Sequence, residues 1–308
     1  MALLYKADPV RGKEWARIMA ERAPDIPFRL WPEVGDPAEI RYIAAWVPPP
    51  DLGHAYPNLE VLFSVGAGVD QFDLASLPER VPLVRMIEPG IVGSMVEYVA
   101  MAVLMLHRDL VAYVAQQRER VWREIRVRPP GGRRVGVLGL GELGTAVLDR
   151  LGAFGFRRAG WSRSRRDLPG VDCFAGAAEL PAFLAQTDIL VCLLPLTAAT
   201  RGILDRRLFA ALPQGASLVN VGRGPHLVEA DLIEALDSGR LSAAVLDVAT
   251  PEPLPGDSAL WRHPRILLTP HIASMTQPET AVDVLLANIR RHQAGQNLVG
   301  LVDRSSGY

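Results

Sequence analysis

The chain has 308 residues, 49% of them hydrophobic, and a formal net charge of −1. Two domains are expected, because single cores rarely grow past roughly 250–300 residues, and so apolar a composition excludes general disorder. The charge balance, with an isoelectric point near 6.6, excludes the broad basic footprint of a nucleic-acid or acidic-membrane binder.

Two cysteines, Cys173 and Cys192, are too few for a disulfide framework or a cysteine-rich zinc site, so no metal is expected and a reducing cytosol suits them. Met1 to Asp8 carries no signal-peptide core, and no apolar run approaches the ~20 residues of a membrane span. A cytoplasmic protein without membrane contact is the expectation.

The first hundred residues alternate strand and helix. Ala2 to Tyr5, Pro27 to Trp31, Ile43 to Val47, Leu59 to Val65 and Pro82 to Met86 read as strands, and Gly12 to Ala23 as a helix. Such alternation implies a parallel sheet covered on its faces. After the fourth strand, Gly66-Ala67-Gly68 could offer backbone amides to an anion, although a plain tight turn explains these residues equally well. Trp46, just before Pro48-Pro49-Pro50, reads first as a core tryptophan and second as a pocket wall. Gly90 to Gly93 reads as a break and a hinge, Ser94 to Gln116 as one long buried helix, and Arg118 to Arg128 as a basic tail.

Val135 to Leu138 then runs as a buried strand into Gly139-Leu140-Gly141-Glu142-Leu143-Gly144. In this G-x-G-x-x-G, Gly139 would allow a tight turn, Gly141 close approach of a pyrophosphate and Gly144 close packing of the following helix. That helix, Thr145 to Phe154, shows apolar spacing at Val147, Leu148, Leu151 and Phe154, and its positive end faces the glycines. A dinucleotide-binding turn is expected. About twenty residues on, where an NAD site would carry a carboxylate, stand Ser162, Arg163, Ser164, Arg165 and Arg166. Hydroxyls and guanidiniums suit a 2′-phosphate, which favours NADP.

Further strands are expected at Ile189 to Leu194, Ser217 to Val221, Ala243 to Val248 and Ile266 to Thr269, with helices at Leu180 to Gln186, Leu208 to Leu212 and Leu227 to Ser238. This is a Rossmann-type doubly wound sheet, and such sheets bind ligands beyond the carboxyl ends of their strands. Leu194-Pro195 and Val221-Gly222 lie at such ends and are expected at the cofactor, as is Asp247. Arg223, Glu252 and His271 follow three successive strands. Hydride transfer to a ketone needs a proton donor, which His271 would provide. Glu252 could orient its ring, and Arg223 could hold the carbonyl and carboxylate of a 2-oxo acid. The other histidines, His54, His107, His226, His263 and His292, show no comparable setting.

These motifs, with Trp46-Val47-Pro48-Pro49, Val65 to Asp70, Trp161-Ser162-Arg163, Asn220 to Gly224, Leu246-Asp247-Val248, Glu252 to Pro255, Thr269-Pro270-His271, Val302-Asp303-Arg304 and Gly307-Tyr308, span the whole chain. In this order they resemble the D-isomer-specific 2-hydroxyacid dehydrogenases, and among them the branch that reduces glyoxylate and hydroxypyruvate. The resemblance implies Arg223 and His271 as the catalytic pair, with Glu252 as the partner of His271. It makes Gly66, Ala67 and Gly68 a carboxylate nest and Trp46 a pocket wall. It also implies NADPH as cofactor, a homodimer, and a first domain completed by the helix Pro278 to Gln293.

The expected division is residues 1–93 with 283–308 as a smaller flavodoxin-like α/β substrate domain, and 94–282 as the Rossmann domain. The expected reaction is NADPH-dependent reduction of glyoxylate to glycolate and of hydroxypyruvate to D-glycerate. Two rivals are a reductase of bulkier acids such as phenylpyruvate and a dinucleotide-sensing protein without turnover. The sequence departs from the family pattern at Ala249, where members often carry an aromatic, and in the arginine-rich segment 118–134.

Overall fold

Two parallel sheets organise the computed structural model, which describes residues 1–304; Gly307-Tyr308 of the resemblance lie outside the described residues. In chain order the elements are β1 (Ala2–Lys6), α1 (Pro9–Arg22), β2 (Phe28–Leu30), β3 (Ile40–Ala45), α2 (Leu52–Ala55), β4 (Val61–Ser64), β5 (Leu83–Val84), α3 (Pro89–His107) and α4 (Leu110–Glu119). There follow β6 (Arg134–Leu138), α5 (Glu142–Gly152), β7 (Arg157–Ser162), β8 (Asp172–Ala175), α6 (Gly176–Leu184), β9 (Ile189–Cys192), α7 (Arg206–Ala211), β10 (Ala216–Asn220), α8 (Glu229–Asp237), β11 (Leu241–Leu246), β12 (Ile266–Leu268) and α9 (Pro278–Gln293).

By their internal contacts the residues form two units, Met1–Ile91 with the segment from Met275 onward, and Val92–Ser274. Residues 275–282 thus cluster with the first unit. Its sheet has the order β2-β1-β3-β4-β5, the flavodoxin-like arrangement. Helix α9 returns to this unit: Arg22 on α1 donates to the Glu279 carbonyl at 2.7 Å and pairs with Asp283 at 2.6 Å. The chain then reaches the β5 edge, where Val302 N donates to the Leu83 carbonyl at 2.9 Å and Arg304 donates to the carbonyls of Leu77 and Pro78.

The second sheet has the order β12-β11-β10-β9-β6-β7-β8, doubly wound, with the direction of winding changing between β6 and β9. Side chains alternate between its faces. Val135, Val137, Val191, Val219 and Val245 pack with α3 and α5. Leu138, Leu190, Cys192, Leu218 and Leu246 pack with Phe183, Phe209, Leu232 and Leu236 from α6, α7 and α8. A sheet buried on both faces needs near-continuous apolar strands, and that is what these segments are.

Three expectations are corrected and one strand is added. Gly90 to Gly93 is helical, because Pro89 suits a first helical turn and the Glu88 carboxylate accepts from the amides of Gly90 (2.5 Å) and Ile91 (2.8 Å). The long helix breaks into α3 and α4 at Asp109, whose φ is 54°, a left-handed conformation that Asp tolerates better than most residues. Phe154 lies past the end of α5 and is 40% exposed. Strand β8, unforeseen, forms the sheet edge. Helix α3 is also, by length and composition, apolar enough to cross a membrane; here Val99, Ala102 and Val103 are fully buried in the core against the second sheet.

Glycine spacing at the β6–α5 turn supports a stability test. A Cβ on Gly144 would lie 1.9 Å from the Gly139 carbonyl oxygen, whereas one on Gly141 would meet nothing within 4 Å. Gly144→Ala is expected to cost about 1–3 kcal/mol, a melting-temperature drop of roughly 2–12 °C. Gly141→Ala should leave the melting temperature unchanged. Equal effects in differential scanning calorimetry would contradict the packing described.

Candidate active site

The glycine turn carries the geometry that phosphate binding requires. Gly139 has φ +106°, and a Cβ there would sit 2.7 Å from the Leu193 carbonyl oxygen, so only glycine fits between β6 and the chain leaving β9. Gly141 is the N-cap of α5 and makes no side-chain capping bond. The first-turn amides, those of Glu142 and Leu143 among them, therefore lack helical partners and sit at the positive end of the helix. With open space over Gly141, this end fits a pyrophosphate.

At the end of β7, Ser162 Oγ donates to the Ser164 carbonyl at 2.7 Å. Arg163, Ser164 and Arg166 are exposed. Arg165 turns aside to the Cys173 carbonyl (3.1 Å) and to Glu179. No carboxylate occurs within 162–166, so the donor set fits a 2′-phosphate better than a bare ribose hydroxyl. Beyond β9, Leu194 is buried and the Pro195 carbonyl accepts from Thr200 Oγ1 at 2.7 Å. Beyond β10, Val221 and Gly222 are buried, and Gly222 N donates to Asn220 Oδ1 at 3.2 Å.

Strands β10, β11 and β12 are parallel neighbours, so Arg223, Glu252 and His271 leave the same rim. The loops touch: a Cβ on Gly224 would fall 1.9 Å from the Ala249 carbonyl oxygen. Glu252 bridges the next step, Oε1 accepting from Ala249 N at 3.0 Å and Oε2 lying 2.7 Å from His271 Nδ1. His271 itself has φ 56°, a strained conformation for a non-glycine residue. With Nδ1 engaged by Glu252, Nε2 is the nitrogen placed to deliver a proton. Arg223 Nη1 donates to the Gly222 carbonyl at 2.8 Å, which steadies the guanidinium over its own turn.

Asp247, expected at the cofactor, braces the His271 loop. It is 2% exposed. Its Oδ1 accepts from Thr269 Oγ1 (2.6 Å) and Ile272 N (2.8 Å), and its Oδ2 from Ala273 N (2.8 Å). Its carbonyl accepts from His271 N at 2.8 Å. Tyr98 on α3 hydrogen-bonds Thr269 Oγ1, and burial pushes its phenol up to about 12, so it remains a neutral donor. Thr269 entered the sequence reading only as a strand end and as part of Thr269-Pro270-His271, and Tyr98 was not singled out at all. His226 was given no role, yet it is fully buried beside Arg223.

On the first unit, Trp46 is 42% exposed, so the core reading is wrong for it. A Cβ on Gly66 would fall 3.0 Å from the Trp46 ring, so glycine makes room for the indole there. The turn's carbonyls are tied inward: Val65 accepts from Thr276 Oγ1, Gly66 from Ser64 Oγ and Met86 N, and Gly68 from Ser64 Oγ and Gln71 Nε2. No acceptor among the described residues takes the amides of Ala67 and Gly68, the pattern of an anion nest.

The Asp247 cluster generates a prediction. Asp247→Asn sets an amide donor against backbone N–H groups and should cost about 1–3 kcal/mol of stability, with loss of most turnover because the His271 loop loses its anchor. Tyr98→Phe removes one outer hydrogen bond and should cost only about 0.5–1.5 kcal/mol. Thermal melts and turnover measured on both variants check the ranking, and a milder Asp247→Asn would contradict it.

Comparison with known proteins matches the geometry. The profile of the D-isomer specific 2-hydroxyacid dehydrogenase NAD binding domain matches residues 100–273. Glyoxylate/hydroxypyruvate reductase A of Yersinia enterocolitica is 40% identical over the full length of both chains. A D-isomer specific 2-hydroxyacid dehydrogenase of Xanthobacter autotrophicus, solved with NADPH and MES, superposes with a TM-score of 0.95 at 40% identity, covering 100% of this chain and 99% of its own. An NADPH-dependent glyoxylate/hydroxypyruvate reductase of Sinorhizobium meliloti, solved with NADP and sulfate, gives 0.92 at 37% identity, with coverage of 100% and 99%. Strand order, glycine turn and full-length similarity agree: the chain belongs to the D-isomer-specific 2-hydroxyacid dehydrogenases.

Proposed function

We propose that this protein reduces small 2-oxo acids with NADPH, glyoxylate to glycolate and hydroxypyruvate to D-glycerate. The observation that carries the reading is the 2.7 Å contact of His271 Nδ1 with Glu252, on the rim where Arg223 leaves the neighbouring strand. NADPH supplies the hydride. His271 donates its Nε2 proton to the oxygen that becomes the hydroxyl, while Glu252 holds Nδ1 and keeps the ring oriented. Arg223 pairs its planar fork with the carbonyl oxygen and carboxylate of the acid. Within the first unit, the amides of Ala67 and Gly68 suit a carboxylate, and Gly66 and Trp46 shape that turn.

Gly139 to Gly144 cradle the pyrophosphate. Ser162, Arg163, Ser164 and Arg166 take the 2′-phosphate, with Leu194, Pro195, Val221 and Gly222 along the rest of the cofactor. The chain works as a homodimer, a reading supported by the run of exposed apolar residues Met101, Leu110, Val114, Val121, Trp122 and Val127 on and after α3 and α4. Its compartment is the cytosol, where Cys173 and Cys192 remain thiols.

His271→Ala should lower kcat by roughly 10²–10⁴-fold while leaving the NADPH Kd within about twofold; equal losses in both would remove the acid role. Replacing Arg163 and Arg166 with Ala should raise the KM for NADPH about tenfold or more and leave that for NADH nearly unchanged. A parallel rise for both cofactors would sink the 2′-phosphate assignment.

A further inference from the structure

His226 has no part in the chemistry assigned above, yet its imidazole is fully buried between two functional turns. Nδ1 lies 3.0 Å from Arg223 N, and Nε2 lies 3.2 Å from the Pro195 carbonyl oxygen. A backbone N–H only donates and a carbonyl only accepts. The partners therefore assign the tautomer: Nδ1 accepts from Arg223 and Nε2 carries the proton donated to Pro195.

The surroundings hold the ring in that pose. A Cβ on Gly222 would come within 2.9 Å of Nδ1, so the glycine makes room for the imidazole. Cys192 Sγ is 3.9 Å away, and burial pushes its thiol up to about 12, so the sulfur brings no charge. The Arg223 backbone is gripped at both ends. Its carbonyl accepts from Asn220 Nδ2 and from His226 N, each at 3.2 Å, and its amide is held by the imidazole.

We propose that His226 is a positioning residue of the reductase. One ring nitrogen fixes the backbone from which the substrate-binding guanidinium of Arg223 extends, and the other fixes the Pro195 turn on the cofactor side. The inference rests on the role of Arg223 in the proposed function. A histidine that merely fills space would connect neither turn to a kinetic constant.

Two variants separate the ring nitrogens. Asn places an acceptor near the Nδ1 position and falls short of Pro195; Gln reaches the Nε2 position and leaves Arg223 N without its acceptor. His226→Gln is expected to lower kcat/KM for glyoxylate about tenfold with NADPH affinity within about twofold of the parent. His226→Asn is expected to keep kcat/KM at saturating NADPH within about threefold and to weaken NADPH binding severalfold. Parallel losses of cofactor affinity and turnover in both variants, or no change in either, would overturn the proposal. Arg223→Ala, assayed alongside, tests the underlying reading. If it retains turnover, both the reading and the positioning role fail. If it is inactive while His226→Gln behaves as the parent, only the positioning role fails.

Should either variant not fold, the unmodified protein reports instead through the ¹⁵N resonances of its imidazoles. A His226 ring protonated at Nε2 alone, whose signal shifts when oxamate joins the NADPH-loaded enzyme, supports the proposal. A doubly protonated ring, or one indifferent to oxamate, overturns it.

Discussion

The buried carboxylate of Asp247 is the anchor on which the rim carrying His271 depends. Its side chain gathers three donors, Thr269 Oγ1, Ile272 N and Ala273 N, and its carbonyl takes His271 N. Removing a carboxylate from water costs several kcal/mol, which is offset only when its lone pairs are engaged, as they are here. The chain between Thr269 and Ala273 is thereby wrapped around one anion. Within that wrap His271 is held at φ 56°, a conformation that surrounding structure must impose. The imidazole can meet Glu252 because its backbone has no freedom to relax.

Close backbone contact is the second constraint. Gly144 against the Gly139 carbonyl and Gly224 against the Ala249 carbonyl, each with 1.9 Å to a hypothetical Cβ, lie at two loops beyond the strand ends of one sheet. The first draws α5 onto the sheet, so that its amide-rich end lies beside the glycine turn. The second sets the Arg223 turn against the loop that supplies Glu252. Burial of both sheet faces makes the strands beneath rigid, so the loops inherit fixed positions.

Much of this was legible in the sequence because the signals are local. A strand–glycine–helix junction, buried apolar runs and turn residues after each strand suffice for two parallel sheets and for which residues leave their carboxyl ends. What was illegible depends on distant partners. Asp247 reads as a carboxylate at a strand end, and only the loop folding back from β12 reveals what it holds. His226 shows no distinctive setting in the sequence, and its partners at Pro195 and Arg223 come together only in three dimensions. Gly90 to Gly93 reads as a breaker until Glu88 is seen capping the helix, and the apolar period running past Asp109 hides the break between α3 and α4. Trp46 read as core because its ring needs a glycine neighbour twenty residues on, at Gly66, to lie where it does.

The most direct measurement follows the loss of absorbance as the protein oxidises NADPH or NADH, with glyoxylate, hydroxypyruvate and phenylpyruvate each offered separately. Rapid oxidation of NADPH with the two small acids, and much slower oxidation of NADH, is the expected result. Preference for NADH would contradict the role given to Arg163 and Arg166. Turnover confined to phenylpyruvate would contradict the substrate class, and absence of turnover with all three acids would contradict the reductase reading itself.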